Sequence, residues 1–304
     1  MKKLLCLFDV SSFVHAGHVN KYTFVEDLVE VGARFRTNRT PTGGASLLFN
    51  TVLDLISTAD MVMCCDRNPT IKKSILPTYK GSRSHKHDIQ VDKAATEYIL
   101  EKCGFTCLYA PGYEADDFIY NMVKKFYDQY EEIRVYTGDS DLYFLVDDKV
   151  SMYPSTSKSK MVTRKNYESV IKKGYHVAYN SLTMYKIIYG DSSDDIPALP
   201  ASIRDTVARF VMKPEIQPHL GERKIIEYYM GLVAPSYKSQ IDIVYPLEIP
   251  DLSVEIKQPH LQTILNWGSA INNKLCRGRG ERAWDVTPFV KELHSMGFFV
   301  EQAD

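Results

Sequence analysis

Residues 112–141 read GYEADDFIYNMVKKFYDQYEEIRVYTGDSD. Gly112 follows Pro111 and breaks the chain. Glu114-Ala115-Asp116-Asp117 then opens a stretch with Phe118, Ile119, Met122 and Phe126 at helical spacing, predicting a helix over 114–130. Residues 133–136, Ile-Arg-Val-Tyr, predict a short strand that exits into Thr137-Gly138-Asp139-Ser140-Asp141. Helix, strand and polar exit loop in succession are the repeating unit of an α/β fold. The stretch is also unusually acidic: residues 112–148 hold ten acids against the three bases Lys124, Lys125 and Arg134, in a chain whose net charge is -1. Carboxylates packed this closely raise each other's pKa unless a cation sits among them, although a solvated acidic patch would also account for either cluster taken alone.

Outward from that stretch the pattern repeats. Short apolar runs at 4–8, 61–65, 105–109 and 150–153 read as further strands, and helical spacing is found over 46–57, 88–102, 166–173 and 180–189. Residues 15–31 show no clear periodicity, and 32–44, with Arg34, Arg36, Arg39, Pro41, Gly43 and Gly44, read as a basic loop. The expected architecture is α/β, a mostly parallel twisted sheet flanked by helices, followed by a helical C-terminal region cut into short pieces by prolines. Three strands end in an aspartate: Asp9, Asp66 and Asp139. Ligands of open α/β sheets bind at the carboxyl ends of the strands, so these three are expected to converge there with Glu114, Asp116 and Asp117 on a first helical turn, and with Asp191 and Asp194 from a later loop.

Between Asp66 and His87 the composition inverts. Arg67, Lys72, Lys73, Lys80, Arg83 and Lys86 oppose one acid, with Tyr79 among them, and Pro69, Pro77 and Gly81 argue for a mobile or partly helical excursion. Composition elsewhere is that of a soluble globular protein of 304 residues, 44% hydrophobic and 25% charged. No apolar run approaches the roughly 18–20 residues of a membrane span, and six cysteines without a C-x-x-C pair suit reduced thiols in a cytoplasmic compartment.

Hard cations with oxygen ligands are the natural counter-charge for such a cluster. Two or more Mg²⁺ ions, with Mn²⁺ as a substitute, are therefore expected. Two ions roughly 3.5–4 Å apart stabilise the attacking and leaving oxygens of a displacement at phosphorus. The basic excursion would guide a polyanion to them, with Lys80 and Arg83 on the scissile phosphate and Arg67, Lys72 and Lys73 on its neighbours. Tyr79 would offer a face to an unpaired base. There is no G-x-x-x-x-G-K-[ST], G-x-S-x-G or H-E-x-x-H motif.

Six stretches, in order, carry a resemblance: Asp9-Val10-Ser11-Ser12, Pro41-Thr42-Gly43-Gly44, Tyr79-Lys80-Gly81-Ser82-Arg83, Gly112-Tyr113-Glu114-Ala115-Asp116-Asp117, Thr137-Gly138-Asp139-Ser140-Asp141-Leu142 and Gly190-Asp191-Ser192-Ser193-Asp194-Asp195-Ile196-Pro197. Together they resemble the 5′ nuclease (flap endonuclease) superfamily, which includes the 5′ nuclease domain of bacterial DNA polymerase I and the phage 5′ to 3′ exonucleases, among them the ribonuclease H type of T-even phages. The resemblance implies a PIN-like nuclease core over 1–197, a helical arch or clamp over about 67–95, and a C-terminal DNA-binding region over 198–304. It implies a metal-dependent phosphodiesterase, a 5′ to 3′ exonuclease or flap endonuclease acting in phage DNA replication. Its substrates would be the 5′ ends of DNA flaps, nicks or RNA primers.

By the same resemblance, Asp9, Asp66, Glu114, Asp116, Asp117, Asp139, Asp141, Asp191 and Asp194 fall on metal-ligand positions. Lys80 and Arg83 fall on arch positions, and Lys72 stands where the family commonly has an arginine on the scissile phosphate. Lys86, Arg34, Arg36 and Arg39 are further candidate DNA contacts. A monomer is expected, in the host cytoplasm if phage-encoded; a single-strand-binding protein, a polymerase or a clamp would be a further partner. One departure stands out: after Asp194 the family's hairpin glycines are replaced by Ala198-Leu199-Pro200-Ala201-Ser202-Ile203-Arg204, which implies either weaker duplex contact or contact that falls to Arg204, Arg209 and Arg277 to Arg279. A Toprim- or PIN-type nuclease and a non-catalytic DNA-binding replication protein are the alternatives. Toprim requires neither Asp9 and Asp66 nor Asp191 and Asp194, and a DNA-binding scaffold leaves the carboxylates without a purpose.

Overall fold

The computed structural model describes residues 2–20, 24–31, 34–84, 86–155, 160–170, 182–211, 222–271, 287–298 and 300–301. At its centre is β1 (Lys2–Asp9), whose Leu5, Cys6, Leu7 and Phe8 are fully buried. A strand apolar on both faces is the signature of an internal parallel strand. β1 pairs in parallel with β4 (Asp60–Cys64) on one side and β6 (Tyr130–Tyr136) on the other. β5 (Thr106–Leu108) and β7 (Val150–Tyr153) complete a five-stranded all-parallel sheet in the order β5-β4-β1-β6-β7. The chain moves from β1 to one side and later returns to the other, so the switch point lies at the carboxyl end of β1.

Helices cover both faces, as parallel strands require. Leu5 and Leu7 pack with Phe118, Ile119, Met122 and Val123 of α5 (Ala115–Phe126). Cys6 and Phe8 face the other way, toward α1 (Val10–Asn20), α2 (Gly43–Val52) and α4 (His87–Lys102). Ile264 and Trp267 of α10 (Leu261–Ile271), and Val290 and Leu293 of α11 (Thr287–Ser295), join that second cluster. Between them in sequence come α3 (Thr70–Ile75), α6 (Leu182–Tyr189), α7 (Ala201–Val211), α8 (Glu222–Val233) and α9 (Ser239–Val244).

The structure departs from expectation in three places. α1 begins directly after Asp9, and no periodicity over 15–31 announces it. Residues 32–44 are not a loop: β3 (Arg34–Pro41) pairs antiparallel with β2 (Phe24–Val31), placing Glu26 opposite Arg39, and β8 (Val300–Glu301) adds a third strand. Arg34, Arg36 and Arg39 are therefore strand residues; the arginine and glycine content masked a run in which strand-forming residues alternate. α2 starts at Gly43 rather than at 46, because Gly43 and Gly44 serve close packing rather than a turn. A Cβ at Gly17 of α1 would lie 2.3 Å from the Gly43 carbonyl carbon. Among the described residues no helix is long and apolar enough to cross a membrane.

Candidate metal centre

Asp9 closes β1 and is held from two directions. Ser12 donates its backbone N–H to Oδ1 at 3.1 Å and its hydroxyl to Oδ2 at 2.6 Å, and Thr137, at the exit of β6, donates to Oδ2 at 2.9 Å. Asp66 lies just past the neighbouring β4, where its Oδ1 accepts the Ala115 N–H at 2.7 Å. Asp66 thus caps the first turn of α5, where the macrodipole favours a negative charge. Asp139 sits in the loop after β6 and accepts the Asp141 N–H at 3.0 Å. Adjacent parallel strands, not sequence proximity, bring these acids to one edge.

Glu114 and Asp117 form a capping box at the start of α5, with Asp117 Oδ2 accepting the Glu114 N–H at 2.8 Å. Asp117 is fully buried, and its other oxygen accepts the Leu247 N–H at 2.6 Å. With both oxygens on backbone donors, Asp117 acts as a cap and as a tether for the chain after α9. Asp116 points elsewhere, lining a crevice with Asp139, Asp141 and Asp194. Ligand oxygens of Asp141, Asp191 and Asp194 lie within 4.8 Å of one another.

The charges in this crevice are unbalanced in a way that invites a cation. Burial, and then the neighbouring Asp66 carboxylate, pushes Asp9 up to about 6 despite its three hydrogen bonds. Burial, Asp139 and Asp9 raise Asp116. Burial and Asp139 raise Asp141 to about 7, even with the Lys186 ammonium beside it. Glu114 is the opposite case: burial would raise it, but Lys72 and Lys80 outweigh that and hold it at about 2.

The protein supplies part of the counter-charge itself. Lys186 Nζ bridges Asp141 and Asp191, lying 2.6 Å from Asp191 Oδ2. Lys80 Nζ is 2.5 Å from Glu114 Oε1 and 3.8 Å from Asp194 Oδ2. Arg83 pairs with Asp194. The open space between these groups is only about 10 Å³, enough for one water-sized body. The all-oxygen donor set and its surplus of negative charge nevertheless fit Mg²⁺ or Mn²⁺ better than any softer metal.

The basic excursion is drawn down onto the acids. After α3, the Lys80 N–H donates to the Asp194 carbonyl at 3.0 Å, and Ser82 donates both its N–H and its hydroxyl to Asp195 Oδ2 at 2.8 Å. Lys80 and Asp195 both have positive φ, 52° and 56°, so each loop turns sharply at this junction. Tyr79, expected to present a stacking face, is 2% exposed; its ring lies under the ammonium groups of Lys72 and Lys80, and its hydroxyl donates to Glu114 Oε2 at 2.9 Å. Lys72, expected on a phosphate, is likewise buried, 3.1 Å from Glu114 Oε2 and 3.9 Å from Asp117 Oδ1. Both belong to the support of Glu114, because an ionised carboxylate this deep needs fixed partners.

Arg67 and Lys73 line a larger cavity beside Asp66, together with Lys80 and Arg83. Lys86 is exposed at the start of α4. The side chains of Arg34, Arg36 and Arg39, and the whole of Arg277 to Arg279, lie outside the described residues. Sequence reasoning missed Ser12, Thr137, Ser82, Asp195 and Lys186, which hold the acids in place. Their roles depend on contacts between distant segments; only the Asp-x-x-Ser spacing of Asp9 and Ser12 gives a local signal.

Parallel strands that deliver carboxylates to a helix N-terminus at their switch point define a PIN-like nuclease fold. The solved T5 5′-exonuclease with divalent zinc ions bound has that fold, at a TM-score of 0.52 and 15% identity over 96% of this chain and 99% of that one. The sequence itself matches the 5′-3′ exonuclease, N-terminal resolvase-like domain family over residues 5–174, and the chain belongs to that family. It is 30% identical over 173 residues to DNA polymerase I of Mycobacterium tuberculosis, covering 56% of this chain and 19% of the polymerase. It is also 30% identical over 131 residues to a 5′-3′ exonuclease of Aquifex aeolicus, covering 43% of this chain and 44% of that protein. The chain thus spans about a fifth of the length of the polymerases it matches.

Proposed function

We propose that this protein is a divalent-metal-dependent 5′ to 3′ exonuclease or flap endonuclease that hydrolyses phosphodiesters at the 5′ ends of DNA flaps, nicks or RNA primers during DNA replication, in a phage or its host. The observation that carries the reading is the crevice lined by Asp116, Asp139, Asp141 and Asp194, with Asp191 within 4.8 Å of Asp141 and Asp194 and with Asp9 close enough to raise Asp116. Burial and the neighbouring Asp139 carboxylate raise both Asp116 and Asp141 there. Metal ions at these carboxylates would polarise the scissile phosphate and lower the pKa of an attacking water.

The chain's own residues supply the rest. Asp9 is oriented by Ser12 and Thr137, so its oxygens keep one direction. Lys80 lines the acid crevice and Arg83 pairs with Asp194 at it, and their present partners, Glu114 and Asp194, would be exchangeable for phosphate oxygens. Lys186 neutralises Asp141 and Asp191 until a stronger cation competes for them. Arg204 and Arg209 of α7 would extend the contact along a duplex from the 198–304 region.

The test is incubation with Mg²⁺, Mn²⁺ or EDTA and labelled duplexes whose 5′ flap is DNA or RNA. Cleavage in Mg²⁺, its loss in EDTA, and a loss of at least about 100-fold in Asp116→Asn with an unchanged melting profile are expected. Binding without cleavage in either metal would overturn the proposal.

A further inference from the structure

A second cavity, of about 650 Å³, shares Lys80 with the acid crevice and has Asp66 and Glu114 in its wall. Its size is that of a site for a small ligand; it can take a nucleotide but not a duplex. Three of its five lysine and arginine residues have carboxylate partners: Arg67 with Glu97 at 3.0 Å, Lys80 with Glu114, and Arg83 with Asp194. The other two do not. Lys93 Nζ donates 2.8 Å to the neutral carbonyl oxygen of Asp66, and Lys73 has no ion pair among the described residues. The Ser11 hydroxyl, also in the wall, is buried without a hydrogen-bond partner. A buried hydroxyl left open costs free energy unless a ligand satisfies it, and the same wall carries the two ammonium groups without a carboxylate partner.

We propose that this cavity is a receptor for the terminal 5′-monophosphate of the strand being cut. A phosphate monoester carries about −1.5 to −2 charges and three strong acceptor oxygens, whereas an internal diester carries one charge. Lys73, Lys93 and Ser11 match the monoester. The Arg67 guanidinium, fixed 4.1 Å over the Tyr109 ring, provides the plane on which the terminal base stacks. Asp66 belongs to both the cavity wall and the carboxylate cluster, so an end bound here sets the reactive phosphodiester at a short, fixed distance from the 5′ terminus. The inference deepens the nuclease reading and rests on it: it names the kind of 5′ end the site selects.

Fluorescence anisotropy in EDTA, with one duplex bearing a short 5′ overhang ended in either phosphate or hydroxyl, tests it. The phosphorylated end is expected to bind about tenfold more tightly, and Lys73→Ala/Lys93→Ala to bring the ratio to about one. Should the double variant fold poorly by its melting profile, Lys73→Ala alone, whose ammonium pairs with nothing described, is expected to lower the ratio severalfold. In the wild-type protein, deoxyadenosine 5′-monophosphate is expected to displace the phosphorylated duplex at concentrations where deoxyadenosine does not. Equal affinity for the two ends, or a ratio unchanged in a folded variant, would overturn the receptor. Cleavage of both ends in Mg²⁺ without a phosphate preference would remove the receptor and leave the nuclease, while a phosphate preference without cleavage would do the reverse.

Discussion

The Tyr79 hydroxyl donates to Glu114 Oε2 at 2.9 Å and also lies 3.4 Å from Asp194 Oδ2. One buried phenol thereby joins the start of α5 to the loop after α6, two segments that share no strand. A hydroxyl has a single proton, so Glu114 holds it and Asp194 keeps an open lone pair. Tyr79→Phe removes the donor without changing the ring. A hydrogen bond to a charged acceptor contributes about 1.5–3 kcal/mol, and a loss of that size is expected in urea unfolding carried out in EDTA. An unchanged midpoint would show that Lys72 and Lys80 satisfy Glu114 by themselves.

The latch between Ser82 and Asp195 is exposed, and both of its bonds use one carboxylate oxygen. Asp195→Ala removes them together and leaves a residue that tolerates positive φ poorly. The turn carrying Lys80 and Arg83 should open more often. Trypsin cleavage after Lys80 or Arg83, followed by mass spectrometry, is expected to accelerate severalfold while the sheet stays resistant. Equal cleavage rates in the two proteins would mean that the Lys80–Glu114 pair, not the latch, holds the turn.

The parallel core was legible because burial on both faces leaves a mark on each strand: residues 4–8 and 61–65 are unbroken apolar runs, and each is followed within one residue by an aspartate. The convergence of Asp9 and Asp66 followed from the rule that strand ends bind ligands, and β4 does lie beside β1. The partners of those acids were not legible. Lys186 and Asp141 are 45 residues apart and meet because α6 packs across the loop after β6. Tyr79 and Lys72 read as members of a basic, solvated segment, and a charge count along the chain cannot tell a lysine facing water from one facing a buried glutamate. Residues 32–44 read as a basic loop because their arginine and glycine content outweighs the two-residue alternation within 34–41, which forms β3.

Gly17 and Gly43 let α1 and α2 touch backbone to backbone. A methyl group at Gly17 would sit 2.3 Å from one carbonyl carbon and 2.4 Å from its oxygen, so the helices must part. Overpacking of this kind costs about 1–3 kcal/mol, and contact with backbone, which cannot rotate away, favours the upper end. Gly17→Ala is expected to lower the urea midpoint accordingly. Gly231, where a Cβ meets nothing within 4 Å, is the control, and Gly231→Ala in the last turn of α8 should stabilise slightly.

Asp92 is a buried carboxyl outside the acid cluster, accepting the Gly44 N–H at 3.2 Å and the Thr96 hydroxyl at 3.1 Å. Burial outweighs these bonds and pushes it up to about 6. In the unfolded chain it titrates near 4, so between those values the native state binds the extra proton. Stability therefore falls as pH rises through roughly 4 to 6, by on the order of 3 kcal/mol from this group. Asp92→Asn keeps one acceptor oxygen and cannot ionise. The stability of the variant relative to wild type, from urea titrations in EDTA, is expected to increase across that window and level off above it. A constant difference would mean that Asp92 stays ionised when buried.

Lys186 tests whether the acid cluster needs a cation. Its ammonium lies against Asp141 and Asp191, and Asp141 stands at about 7 even with that help. Lys186→Met keeps the length and the apolar stem while removing the charge. Deleting one member of a buried ion pair costs about 3–5 kcal/mol, because the carboxylates left behind are desolvated and repel one another. In EDTA the variant is thus expected to melt well below wild type. A divalent ion that binds only the folded state stabilises by mass action, and the variant offers it a stronger field with no competing ammonium. Millimolar Mn²⁺ should therefore raise the melting temperature more in Lys186→Met than in wild type and recover part of the deficit. If Mn²⁺ moves neither melting temperature, Asp141, Asp191 and Asp194 are held together by lysine and arginine alone and do not form a metal site.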